Sequence, residues 1–144
     1  GLSFCKKYRI KSKIYDFIKH SKTENMIIKD LKKNKIKLIC LAGFMKILSK
    51  SFIKKFNNNI LNIHPSLLPK YKGLNTHQKV IKNREKYSGC TVHLVSPKLD
   101  SGKIIMQKKV RVFKSDTPET ISKRILKQEH ILYPKAIKKI YSNY

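Results

Sequence analysis

Two short apolar runs constrain this chain most: IKLICLAGF at Ile36–Phe44 and ILNI at Ile60–Ile63. Each is bounded by charged or turn-forming residues and carries β-branched side chains. That is the pattern of a strand buried on both faces of a parallel sheet. Between them Ser49 can cap a helix through about Phe56, and Asn57–Asn59 reads as a turn. Downstream the alternation continues. A helix is expected near Thr76–Lys86 with Val80 and Ile81 inward, then strands at Thr91–Val95 and Ile104–Phe113. Thr117 followed by Pro118 opens a long helix, because proline suits the first helical position. Pro134 is expected to kink or split that helix before Tyr144. Upstream, Thr23 reads as the N-cap of a helix to about Lys33, with Met26, Ile27 and Leu31 on one face. Leu2–Lys19 reads as a helix or a helix–strand mixture.

Strands alternating with helices predict an α/β fold: a three-layer, Rossmann-like, mostly parallel sheet flanked by helices. A chain of 144 residues suits one domain, burying roughly two-thirds of its unfolded surface. In open sheets of this kind ligands bind outside the carboxyl ends of strands. Gly43–Leu48, Asn62–His64 and Ser96–Asp100 all follow expected strands, so three loops are expected to converge on one crevice.

The net charge of +26 admits two readings, nucleotide bias or selected polyanion binding. The first is favoured. The basicity is nearly all lysine, with Arg9, Arg84, Arg111 and Arg124 the arginines, whereas phosphate and base readers use arginine's planar fork. No apolar run approaches the roughly 20 residues of a membrane span. Cys5, Cys40 and Cys90 are scattered, without zinc-ligand spacing. A reducing cytoplasm is the simplest compartment. The 5 glycines are dispersed, so none forms a phosphate-cradling run.

The stretch NIHPSLLPKYKG (Asn62–Gly73) carries the chemistry. Along a strand Asn62 and His64 face the same side. An amide can donate to a developing oxyanion, and an imidazole can move a proton near neutral pH. Asp100, one of 8 acids, stands in a loop where a carboxylate can pair with His64. On spacing alone a satisfied loop histidine and a turn aspartate is the favoured reading. His93 reads as a strand histidine with a structural hydrogen bond, and Cys90 as a small core residue. Gln128, Glu129 and His130 read as a solvated helix face.

LAGFMKILS (Leu41–Ser49), NIHPSLLPKYKGLNTH (Asn62–His77), HLVSPKLDSG (His93–Gly102) and KQEHILYP (Lys127–Pro134) closely resemble the phosphoribosylglycinamide formyltransferases, a branch of the formyltransferase family. The similarity runs in order from about Ser21 to Ile140. The resemblance implies transfer of a formyl group from 10-formyltetrahydrofolate, a co-substrate, to the amine of glycinamide ribonucleotide in purine biosynthesis. It implies no metal, no specific nucleic acid, no membrane, small-molecule substrates, and a cytoplasmic monomer or homodimer. Asn62, His64 and Asp100 would be the catalytic trio. Met45, Lys46, Ile47, Leu48, Ser96, Pro97, Lys98 and Leu99, with Asn62, Asp100 and Lys22, would contact the folate. Leu126, Lys127, Gln128 and Glu129 would contact the ribonucleotide. Leu68–Pro69 would be a cis peptide.

The chain also departs from that pattern. Gly1 falls inside it, so residues 1–144 are expected to be a single formyltransferase domain lacking the family's first strand and phosphate loop. Asn75 stands where histidine is common, and Ser101 where glycine is common. Alternatives within the family are methionyl-tRNA formyltransferase, which carries a further RNA-binding domain, and formyltetrahydrofolate hydrolase, in which water replaces the amine. Outside it, a lysine-rich polyanion-binding remnant would bind RNA in a salt-sensitive way.

Overall fold

A computed structural model of the chain describes residues 1–56 and 59–141. Two of the turn residues expected above, Asn57 and Asn58, lie outside them, as does the chain end at 142–144. The described residues divide into two units, Gly1–Ile36 and Lys37–Tyr144.

In the second unit β1 (Ile39–Leu41), β2 (Ile60–His64), β3 (Tyr87–Leu94) and β4 (Ile104–Arg111) form a sheet in that order. α3 (Lys50–Lys55) connects β1 to β2, α4 (Thr76–Lys82) precedes β3, and α5 (Pro118–Tyr141) closes the unit. The α/β class is as expected, but the sheet is mixed rather than mostly parallel. β1 pairs parallel to β2, whereas β2–β3 and β3–β4 are antiparallel. The reason is the short return. α4 has only 7 residues, about 10 Å of helix, and the chain turns back beside His64, which pairs with Thr91. β3 therefore begins four residues earlier than expected and runs down the sheet.

The two faces of this sheet differ. Leu61, Cys90, Val92 and Val110 pack with Ile121, Ile125, Leu132 and Ala136 of α5 in one apolar cluster. Because strand side chains alternate, Asn62, His64, Thr91 and His93 point to the other face, where registers Asn62↔His93 and His64↔Thr91 place them side by side. That face is polar and is covered by loops. β1 is half-exposed, with Cys40 open, so the expectation of burial on both faces fails for this strand.

Local signals succeed or fail by their hydrogen bonds. Ser49 caps α3, its Oγ accepting from Phe52 N at 3.0 Å. Thr117 caps α5, its Oγ1 accepting from Thr120 N at 3.3 Å. α5 continues through Pro134, so no split occurs. In the first unit α1 covers only Leu2–Lys7 and α2 spans His20–Lys33. Thr23 is not its N-cap: it lies inside α2, its Oγ1 donating to Asp16 O, and α2 begins at His20 without a side-chain cap. Asp30 of α2 ties down the preceding loop by accepting from Lys13 Nζ and from Tyr15 Oη at 2.5 Å.

Candidate active site

The polar face of the sheet gathers the candidate site. Pro65 ends β2, and the next residues fold into a loop pinned from beneath. Thr91 Oγ1 donates to Ser66 O at 2.6 Å and accepts from Leu68 N at 3.1 Å. Gln107 Nε2, from the neighbouring strand, donates to Leu68 O and to Thr91 Oγ1, both at 2.9 Å. The Leu68–Pro69 peptide is cis, as the resemblance implies. Tyr71 then takes φ +55, in the left-handed region. Its carbonyl accepts from His64 Nε2 at 2.8 Å. A carbonyl only accepts, so Nε2 carries the hydrogen and Nδ1 is left facing Asp100.

Asp100 arrives by an unexpected route. β3 is antiparallel to β2, so its carboxyl end lies beside Leu61 rather than beside His64. The β3–β4 connection folds back to reach the site. Gly102 makes this close return possible: a Cβ there would lie 1.7 Å from Leu94 O. Asp100 takes φ +43. Its Oδ2 accepts from Gly73 N at 2.8 Å and lies 3.5 Å from His64 Nδ1; Oδ1 lies 3.7 Å from His93 Nε2. Lys72 Nζ donates to Ser101 Oγ at 2.5 Å, linking the two loops again.

His93 is the residue the sequence reading undervalued. Its Nδ1 donates to Leu94 O at 2.9 Å, which leaves Nε2 with a lone pair. Asn62 Nδ2 lies 3.4 Å from that nitrogen and donates to it. Burial, first of all, holds the His93 imidazole below its ordinary value and so neutral. A neutral His93 thus fixes which end of the Asn62 amide faces inward, and the second N–H of Nδ2 is left for a substrate oxygen. The sequence offered only a histidine alternating within an expected strand; its register with Asn62 comes from the structure. His77, which has no partner evident in the sequence, is also perturbed. Burial, and then the charge of His64, lowers its pKa, and its Nδ1 is buried without a hydrogen-bond partner among the described residues.

The remaining candidates are distributed. Met45 and Ile47 are 76% and 66% exposed at the exit of β1, whose Leu41 pairs with Asn62; Lys46 is exposed and Leu48 is buried. Pro97, Lys98 and Leu99 are exposed on the loop that carries Asp100. Ser96 Oγ shapes that loop by donating to Lys98 O at 2.9 Å. Lys22 lies in α2 of the first unit. Leu126–Glu129 lie on α5, which packs on the opposite face of the sheet from the trio. Glu129 there is half-buried, and burial raises its pKa, so it is not the solvated residue its neighbours suggested. One turn on, Tyr133 Oη donates to Leu41 O at 2.8 Å and Leu61 O at 3.2 Å, beside Asn62. Cys90 is buried, its thiol pushed up to about 12 chiefly by burial, as a core cysteine should be.

An amide, an imidazole and a carboxylate converge on the loop-covered face of a mixed α/β sheet. A sequence profile described as formyl transferase matches residues 4–137, and the chain belongs to that family. Among its relatives, the phosphoribosylglycinamide formyltransferase of Escherichia coli K12 is 47% identical over 100 residues, covering 69% of this chain and 47% of that protein. The trifunctional purine biosynthetic protein adenosine-3 of Gallus gallus is 42% identical over 145 residues, covering 99% of this chain and 14% of that protein. The chain thus spans less than half the length of these two relatives. The crystal structure of phosphoribosylglycinamide formyltransferase from Anaplasma phagocytophilum superposes with a TM-score of 0.92 at 40% identity, covering 99% of this chain and 69% of that one.

Proposed function

We propose that this polypeptide carries the formyl-transfer centre of a phosphoribosylglycinamide formyltransferase. On this reading it passes the formyl group of 10-formyltetrahydrofolate to the amine of glycinamide ribonucleotide, in the cytoplasm and as part of purine biosynthesis. Both units would belong to one catalytic domain, since the family match runs across them. The observation that carries the reading is the pairing of an oriented amide donor at Asn62 with the His64–Asp100 contact on one face.

The residues present suit such a co-substrate. Apolar Met45 and Ile47 stand open at the exit of β1, where a flat, largely apolar ring system can cover them. Asn62 directs its remaining N–H at the formyl oxygen, so that negative charge developing there is met by a fixed donor. A hydrogen on His64 Nδ1, the nitrogen that faces Asp100, would be shared with the same formyl oxygen, while Nε2 stays on the Tyr71 carbonyl. As the amine nitrogen bonds to the formyl carbon, it must lose a proton, and the departing folate nitrogen must gain one. Asp100, whose Oδ2 faces His64 and whose Oδ1 accepts no hydrogen bond among the described residues, takes and returns that proton, directly or through a water. The carbon–nitrogen bond to folate then breaks, leaving a formamide. Glu129 and Gln128 would contact the ribonucleotide from α5, Leu126 and Lys127 with them. Lys22, Lys46, Leu48 and residues 96–99 would complete the folate contacts.

The test is a competition. 10-Formyltetrahydrofolate is supplied with glycinamide ribonucleotide, initiator tRNA or water alone, and the acceptor of the formyl group is identified. Formylation of the ribonucleotide is the expected result. Release of formate alone, or formylated tRNA, would overturn the assignment.

A further inference from the structure

A concavity lies against the loop that follows β2. It has a volume of about 630 Å³, and its lining includes none of Asn62, His64 and Asp100. That size suits a small organic ligand, since such sites typically run from about 300 to 1,000 Å³. Its walls come from the loop after β2, Val80 of α4 and the turn that follows it, the start of β3 and one residue of β4.

The charge of this cleft is one-sided. Lys70, Arg84, Lys86 and Lys109 line it, against the single acid Glu85. Glu85 is already engaged: Lys70 Nζ donates to it at 2.9 Å and Tyr71 Oη at 2.7 Å. These partners, Lys70 first, hold its carboxyl below the usual range. Arg84, Lys86 and Lys109 have no acidic partner among the described residues. Lysine bias can place lysines anywhere, but it does not account for Arg84. Of the other arginines, Arg124 is bound to Asp116. Lys109 Nζ sits 3.8 Å from the Tyr87 ring centroid, which holds one cation beside an exposed aromatic face. Val80 and Pro69 add apolar lining.

We propose that this cleft binds a phosphorylated small molecule bearing an aromatic ring, such as a nucleoside phosphate. Its phosphate would lie among Arg84, Lys86 and Lys109, and its ring against the part of Tyr87 that Lys109 leaves uncovered. The cleft is not isolated from the chemistry, because Tyr71 faces both ways. Its hydroxyl donates to Glu85 and accepts from Asn83 Nδ2 at 2.9 Å, while its carbonyl holds His64. An occupant that draws Lys70 away from Glu85 changes the seating of Tyr71, and so the imidazole.

The test uses the full chain and does not depend on turnover. AMP, ribose 5-phosphate and inorganic phosphate are titrated by calorimetry, and bound residues are mapped by backbone amide NMR shifts. The expected result is saturable AMP binding with shifts at Lys70, Tyr71 and residues 84–87. The double variant Arg84→Ala/Lys86→Ala should bind at least about tenfold more weakly, as loss of charge-assisted contacts requires. Asn62→Ala, and the exposed pair Lys54→Ala/Lys55→Ala on α3, should bind AMP as the parent does. Equal weakening in the Lys54/Lys55 control, equal affinity for all three probes, or no saturable binding at millimolar AMP would overturn the proposal. So would affinity that appears only for RNA oligonucleotides and rises with their length.

Discussion

Asp100 and Asp116 are two carboxylates of similar burial, 8% and 4% exposed at the side chain, with opposite surroundings. Asp116 stands between β4 and α5 with its lone pairs filled. Phe113 N and Thr120 Oγ1 each donate to it at 2.8 Å, and the Arg124 fork adds two bonds at 2.8 and 2.7 Å. The guanidinium is the main reason its carboxyl lies far below the usual range. Asp100 has one short bond, from Gly73 N, and two imidazoles at 3.5 and 3.7 Å. A carboxylate whose acceptor sites are all taken can hold two elements together but cannot take up a proton or a new donor without losing what it holds. One left partly unsatisfied between two imidazoles can. The difference suits Asp116 to holding the fold and, on the proposed function, Asp100 to the chemistry.

The largest effect that can break this comparison is on turnover. Asp100→Asn keeps the acceptor for Gly73 N and removes the charge, so formyl transfer should fall on the order of 10²–10⁴-fold. Asn62→Ala should lose about 10²–10³-fold, the usual cost of one oxyanion donor. Thermal unfolding followed by circular dichroism should move little in either variant. Steady-state rates near the parent's in both would remove the trio from the mechanism. The counterpart is Arg124→Ala, which leaves Asp116 almost buried without its main donors. It should cost about 2–3 kcal/mol of stability and leave kcat of the folded protein within about twofold. A variant that melts like the parent but turns over slowly would reverse the two roles.

Much of this contrast was legible in the residues, for traceable reasons. Ser49 and Thr117 were found because a cap is a local hydrogen bond, and β2 because a short apolar run before His-Pro has few other readings. Asn62 and His64 share a face because strand alternation is a two-residue rule. The direction of β3 was not legible. It depends on how far residues 65–86 travel before pairing, which no local propensity encodes. Asp100 does follow the end of β3, as expected, but that end lies beside Leu61, and the residue reaches the site by the fold-back that Gly102 permits. Thr23 misled because its hydroxyl serves Asp16 O across the preceding loop. His93 was undervalued because its worth lies in Asn62 across the strands and Asp100 from a folded-back loop, contacts that a single sequence cannot display.

The smallest effect tests the neutral histidines against the filled carboxylate through pH. Burial holds His93 and His77 below the ordinary imidazole value of 6.5. As pH falls through that value the unfolded chain takes up protons that the folded chain refuses. The unfolded state then binds more protons, so stability rises with pH up to about 6.5 and levels off above it. Asp116 acts in a lower window. Its folded value is depressed from 3.8, so its contribution is complete above that value and is lost only as pH falls below it. Chemical denaturation between pH 7 and 5 should therefore show a decline, and His77→Gln/His93→Gln should flatten it. Arg124→Ala should leave that slope intact and change only the acid limb below about pH 4. A slope between pH 7 and 5 unchanged in the double histidine variant would show that these imidazoles titrate freely. The neutral His93 that orients Asn62 would then be lost from the argument, while the Asp116 clamp would stand.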